Sequence, residues 1–222
     1  MSKKVFLAIC ISVLLIGTIV TIGCGKSKEG DLPTLQVGNK WTYETLAGGV
    51  YYTISEEVTG EDTFNNKDCW VTKLSMNPPF HGVDSMTSRR DESNLFRIQS
   101  EMSGTENGVP FTQVETHSYQ FDVPLYPFEV GKTVKVVEIG NRTTTSVGEP
   151  QVETNTSTTF FKVERIEEIT VPAGKFKCFK IVQYDESGVK LWTGWHSDKV
   201  KMFIKDIYED SDYLRELKSY EL

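Results

Sequence analysis

Thiols, imidazoles and clustered carboxylates are the groups in this chain that could do chemistry, and their spacing restricts what that chemistry could be. The cysteines are Cys10, Cys24, Cys69 and Cys178, and the histidines are His81, His117 and His196. No His-x-x-x-His or His-Glu-x-x-His spacing occurs, so a zinc hydrolase has no motif to rest on. Gly-x-Ser-x-Gly is absent, which removes the nucleophile elbow of an α/β-hydrolase. No glycine-rich loop leads into a helix to hold phosphate. Asp206, Glu209, Asp210 and Asp212 form an acidic knot without the regular spacing of a calcium loop, and a solvated turn is the simpler reading. Glu164, Glu167 and Glu168 read as the wet face of a strand. These residues assign no catalytic group, metal or cofactor, and an enzyme is the least supported class.

Cys24 differs because of what precedes it. Lys3 and Lys4 are followed by a largely apolar run from Val5 to Val20, then Thr21-Ile22-Gly23-Cys24, then the polar stretch Gly25-Lys26-Ser27-Lys28-Glu29. A basic start, an apolar middle and a small residue before a cut site describe a secretory signal. With cysteine next, the segment resembles the lipobox of bacterial lipoproteins. That resemblance implies a signal peptide over residues 1–23, cleavage before Cys24 and acyl chains on its sulfur. One chain anchors weakly and two or more anchor firmly. Residues 24–34 are small, charged or proline-containing and read as a flexible tether. The apolar run also approaches the ~20 residues of an uncleaved membrane helix. Both readings put the remaining chain outside the cytoplasm, because the positive charge precedes the apolar run.

Cleavage leaves 199 residues, enough for one ordinary domain or two small similar ones. The whole chain has 24 basic and 31 acidic residues; without Lys3 and Lys4 the balance is 22 to 31, or −9. So acidic a surface disfavours nucleic acid and anionic membrane surfaces as partners.

Cys69 and Cys178 remain in the folded part. An exported compartment permits a disulfide between them, worth roughly 4–5 kcal/mol for a loop of about 100 residues. Two small buried thiols packed as hydrophobes are the alternative.

The elements that must position these groups read as strands. β-Branched and aromatic residues recur in short runs: 41–45, 50–58, 69–76, 95–99, 111–121, 133–139, 157–169, 176–184, 189–195, 200–208 and 213–220. Turn residues separate them, including Gly48-Gly49, Asn65-Asn66, Gly104 to Gly108, Ala173-Gly174 and Asp185 to Gly188. No segment after Cys24 carries a helical apolar stripe. The expected fold is all-β: a long, twisted antiparallel sheet or half-open barrel over residues 35–222, with little helix.

Two phrases recur. Leu35-Gln36-Val37-Gly38-Asn39-Lys40-Trp41 resembles Phe128-Glu129-Val130-Gly131-Lys132-Thr133-Val134, and Lys67-Asp68-Cys69-Trp70-Val71 resembles Phe176-Lys177-Cys178-Phe179-Lys180. Repeat halves at 35–125 and 126–222 are one expectation; coincidence of common strand phrases is the other. Trp41, Tyr43, Tyr51, Trp70, Trp192 and Trp195 are the candidates for lining a ligand groove, each with core packing as its plain alternative.

Three phrases together carry a family resemblance: Val37 to Tyr43, Val171-Pro172-Ala173-Gly174-Lys175-Phe176-Lys177-Cys178 on to Ile181, and Trp192-Thr193-Gly194-Trp195 on to Val200. They resemble uncharacterised families of prokaryotic secreted lipoproteins, likened in fold to the half-open barrel of the lipoprotein-carrier (Lol) proteins. The resemblance covers most of residues 35–222 and implies an extracytoplasmic, lipid-anchored protein of the cell envelope. The expected function is binding of an apolar, glycan or protein ligand, with the membrane as partner through Cys24. A structural or assembly lipoprotein that offers a sheet edge to a complex is the alternative.

Overall fold

The computed structural model describes residues 29–80, 82–106, 108–146 and 149–222. The signal segment, residues 24–28 of the tether (Cys24 among them) and His81 lie outside them. The elements are β1 (Lys40–Ala47), β2 (Val50–Phe64), β3 (Lys67–Phe80), β4 (Val83–Asp91), β5 (Arg97–Glu106), β6 (Val109–Phe121), β7 (Thr133–Thr145), β8 (Gln151–Val171), β9 (Gly174–Tyr184), β10 (Lys190–Ser197), β11 (Met202–Tyr208) and β12 (Leu214–Glu221). Every strand runs antiparallel to its successor, and β12 returns to pair with β1. The fold is all-β as expected, and its barrel is closed rather than half-open.

Alternation along the strands separates inside from outside. In β1, Trp41, Tyr43, Thr45 and Ala47 are buried while Glu44 is exposed. In β11 the buried set is Met202, Ile204 and Asp206. Tight turns use the expected residues. Asn65 and Asn66 have φ of 51° and 60°, the left-handed pair that a two-residue hairpin needs to match the twist of its strands. One strand has no counterpart among the sequence runs. β4 carries Ser, Thr, Arg and Asp, and its buried residues include Met86, Ser88 and Asp91. A strand whose inner side is polar shows no apolar alternation.

Two apolar clusters fill the body. One gathers Trp41, Tyr43, Val58, Trp70, Ile204 and Leu217, and the other Phe128, Val134, Val136, Val163, Phe179 and Ile181. Burial of this kind is worth about 1.5–3 kcal/mol per large side chain.

The same local devices recur half a barrel apart. Gly38 N donates to Val58 O at 2.8 Å and Val58 N to Asn39 O at 2.9 Å. Gly131 N donates to Val163 O at 2.8 Å and Val163 N to Lys132 O at 2.9 Å. Gly38 and Gly131 have φ of 94° and 91°, which a side chain would strain. A bulge follows each valine, at Val58/Gly60 and at Val163/Arg165. Bulges also match at Arg89/Arg90 and Trp195/His196, each followed by a left-handed residue, Leu95 (φ 61°) and Lys201 (φ 59°).

The disulfide does not form: Cys69 and Cys178 are free and buried. Cys69 Sγ lies 3.3 Å from Asp62 O, and Cys178 Sγ lies 3.6 Å from Phe176 O. Cys69 lies on β3 and Cys178 on β9, on opposite walls of the barrel. Five strands separate β3 from β9 in either direction, far beyond the ~7 Å that a bridge allows between alpha carbons. Burial pushes the Cys178 thiol up to about 12 and raises Cys69 as well. Intact mass without reductant should therefore show both as thiols, unreactive to N-ethylmaleimide until denaturant is added. A species lighter by two hydrogens would contradict the fold.

Candidate functional site

The barrel interior holds a cavity of about 380 Å³. Opposite walls contribute to it. From β4 and β5 come Arg90 and Arg97; from β10, β11 and β12 come Trp192, His196, Asp206, Tyr208 and Arg215. Phe96, Tyr126, Phe128, Phe161 and Phe203 add aromatic surface, and Ile181 and Gln183 come from β9.

Trp192 shapes one wall. A Cβ at Gly194 would stand 2.1 Å from the Trp192 ring, so only glycine lets the indole lie back over the strand. The ring meets Phe203 edge-on at 5.1 Å and Phe161 at 6.4 Å. Such tilted contacts favour a stable aromatic wall.

The charged groups form two ion pairs and one remainder. Glu56 is 1 % exposed; its Oε1 accepts from Arg90 Nε at 3.0 Å and Nη2 at 2.8 Å. Burial would raise the Glu56 carboxyl, but Arg90, helped by Arg215, outweighs it and holds the group below its usual range. Arg90 Nη1 also donates to Leu95 O at 3.2 Å. Asp206 Oδ2 accepts from Arg215 Nε at 2.7 Å and lies 2.6 Å from Nη2. Burial pushes Asp206 up and Arg215 pushes it down. With two donors on one oxygen, the geometry is that of an ion pair. Burial also works against the charge of Arg215, and Asp206 overrides it and holds the guanidinium well above its ordinary value. The same guanidinium lies over the Tyr43 ring at 4.4 Å, a cation–π contact. Arg97 is the remainder. Its Nε is buried with no hydrogen-bond partner among the described residues, and burial followed by the Arg90 charge lowers its affinity for the proton. Arginine nonetheless stays charged in proteins.

His196 is 1 % exposed among Phe128, Phe203 and Tyr126, with Nδ1 3.4 Å from Asp198 Oδ1. It packs as a core residue at the cavity wall.

The six aromatic candidates divide. Only Trp192 lines the cavity. Trp41, Tyr43, Trp70 and Trp195 are buried core residues; Trp41 Nε1 donates to Val200 O at 2.8 Å, and Trp195 Nε1 to Glu167 Oε1 at 2.7 Å. Tyr51 is 73 % exposed and lines nothing. Large aromatics on a tightly packed wall fill the core before they can line a space. The acidic knot also divides. Asp206 is an interior ion-pair member, not part of a wet turn, while Asp212 accepts from Gly48 N at 2.9 Å and Gly49 N at 2.7 Å and braces the β1–β2 turn. Sequence reasoning passed over Glu56, Arg90, Arg97 and Arg215. One signal was present: Glu56 sits two residues before buried Val58, Arg215 two before buried Leu217, and Asp206 two after buried Ile204. Period-two placement beside a buried residue aims a charge inward.

A smaller recess of about 90 Å³ between β6 and β7 includes Glu115, His117 and Arg142. Glu115 (Nε2–Oε2 3.8 Å) and Glu138 (Nδ1–Oε1 2.7 Å) flank the imidazole and raise it to about 9. Glu115 in turn is lowered to about 2 by His117 and, against burial, by Arg142.

Truncating Glu56 to alanine should cost about 3–5 kcal/mol in urea unfolding, because it strands the Arg90 charge. Lys218→Ala at the exposed Lys218–Glu44 pair (2.7 Å) should cost less than about 1 kcal/mol. Equal effects would contradict a paired interior. The raised His117 stabilises the fold fully below pH 6.5, and that contribution is lost as pH rises through about 9. Unfolding free energy should fall by roughly 1–3 kcal/mol across that window, and His117→Gln should flatten the slope.

No known family matches the chain, and no curated protein matches it significantly. Two solved structures resemble it distantly. One is an exported-protein candidate with YmcC-like fold from Bacteroides fragilis, 9% identical, covering 87% of this chain and 100% of that one, with a TM-score of 0.38. The other is a lipoprotein candidate from Parabacteroides distasonis, 12% identical, covering 88% and 100%, with a TM-score of 0.37. At these identities and scores the likeness carries no conclusion about this chain.

Proposed function

We propose that this chain is a lipid-anchored binding protein of the cell envelope that takes a compact, largely apolar small molecule into its barrel. The observation that carries the reading is the cavity itself, about 380 Å³ with aromatic walls and charged groups at fixed positions. Specific small-molecule sites have this composition: mostly apolar surface with a few placed polar groups. At ~30 Å³ for the share of one water, the space suits a ligand of about a dozen heavy atoms. The anchor rests on Lys3, Lys4, the apolar run and Cys24, and intact mass after export tests it. An uncleaved, unacylated chain would remove the lipid.

Barrel closure bears on the rival assembly reading. Every strand has a hydrogen-bonded neighbour on both sides, so the barrel wall has no whole edge strand to offer a partner.

Native mass spectrometry of protein beginning after Cys24 should show either a co-purified small molecule or, with added 2-naphthamide, a one-to-one complex. Gln183→Trp places a large ring in the cavity and should reduce occupancy about tenfold or more while melting stays cooperative. A wild-type protein that stays bare at millimolar 2-naphthamide would rule out the cavity reading.

A further inference from the structure

One of the three cavity arginines has no carboxylate in contact with it. Arg90, Arg97 and Arg215 line the cavity. Glu56 is engaged by Arg90 and Asp206 by Arg215, each through two nitrogens on a single oxygen. Among the described residues, no carboxylate forms an ion pair with Arg97, and its Nε is buried without a hydrogen-bond partner. The guanidinium keeps its proton, Glu56 and Glu115 act on it only from a distance, and a charge held in the interior without a contacting partner is costly. A contacting counter-charge would have to come through the cavity, which Arg97 lines.

We propose that Arg97 is the anion-binding group of this cavity and that the ligand is a monocarboxylate carried on a compact apolar body. The inference rests on the cavity reading above and adds the ligand's charge and chemical class. One unmatched guanidinium fits one negative charge; a phosphate dianion would need further donors. Guanidinium presents a planar fork that matches a carboxylate with two parallel hydrogen bonds. The remaining wall, from Phe96, Phe161 and Trp192, suits a ring or a short branched chain against its faces.

The test uses 2-naphthoate and 2-naphthamide, which share a shape and differ in charge. Equilibrium dialysis against the full-length chain in phospholipid nanodiscs, with empty nanodiscs subtracted, gives both affinities. The wild type should prefer naphthoate by about tenfold or more, the range of hydrogen bonds to charged groups. Arg97→Gln should bring the preference close to one, and Arg97→Lys should keep part of it. Should Arg97→Gln not fold, the wild-type preference and Arg97→Lys still decide. A wild type that binds naphthamide as tightly as naphthoate overturns the inference and leaves the cavity reading standing. A preference that persists in Arg97→Gln also overturns it. Binding of neither probe removes both.

Discussion

The return of β12 onto β1 is the contact on which this molecule depends. Trp41 pairs with Tyr220 and Tyr43 with Leu217 across that seam, and the register slips between Thr42 and Tyr43. Without the seam the sheet would end in two open edges. With it, one face becomes an interior, and Trp41, Tyr43 and Leu217 leave water altogether. β11 and β12 pair only over Lys205 to Ile207. Beyond those pairs, Ala173 N from the β8–β9 turn donates to Leu217 O at 3.0 Å. The turn thus supplies a partner that the neighbouring strand does not.

Closure sets the electrostatic problem as well. A wall of alternating side chains sends every second residue inward, whatever its chemistry. Glu56, Arg90, Arg97, Asp206 and Arg215 therefore sit in surroundings where a lone charge is unfavourable. Two pairs form, each with a guanidinium side-on to a carboxylate oxygen. They lie close together on the strands to either side of β1, near enough that Arg215 also acts on Glu56. The cavity beside them is lined by both kinds of group, with Arg90, Asp206 and Arg215 among aromatic side chains.

Much of the architecture was legible beforehand, and the exceptions have causes. Runs rich in Val, Thr, Tyr and Phe marked eleven of the twelve strands. The Val-Gly phrases at Val37-Gly38 and Val130-Gly131 proved to hold matching turn geometry with φ near 90°. β4 escaped because Ser88 and Arg90 occupy inward positions, and polarity there erases the alternation that betrays a strand. Of the candidate aromatics only Trp192 reached the cavity. Trp41 and Tyr43 have the same residue types and the same strand setting, but they lie where the walls pack tightly. Nothing local distinguishes the two environments, since the distance to the opposite wall is a property of the closed sheet.

Sequence alone determined the strand character, the turn positions and the acidic surface, because these follow from local propensity, backbone freedom and composition. It also carried the signal-like segment before Cys24, whose basic, apolar and small-residue order is one-dimensional. Tertiary structure alone decided that the sheet closes, that Cys69 and Cys178 sit on strands too far apart around the barrel to bond, and that Arg97 lacks the contacting partner Arg90 and Arg215 have. Each of those outcomes depends on which strands the closed sheet brings beside or across from one another, from β12 against β1 to Glu56 of β2 beside Arg90 of β4. Hydrophobic patterning specifies that a face is buried; only the closed register specifies what it is buried against.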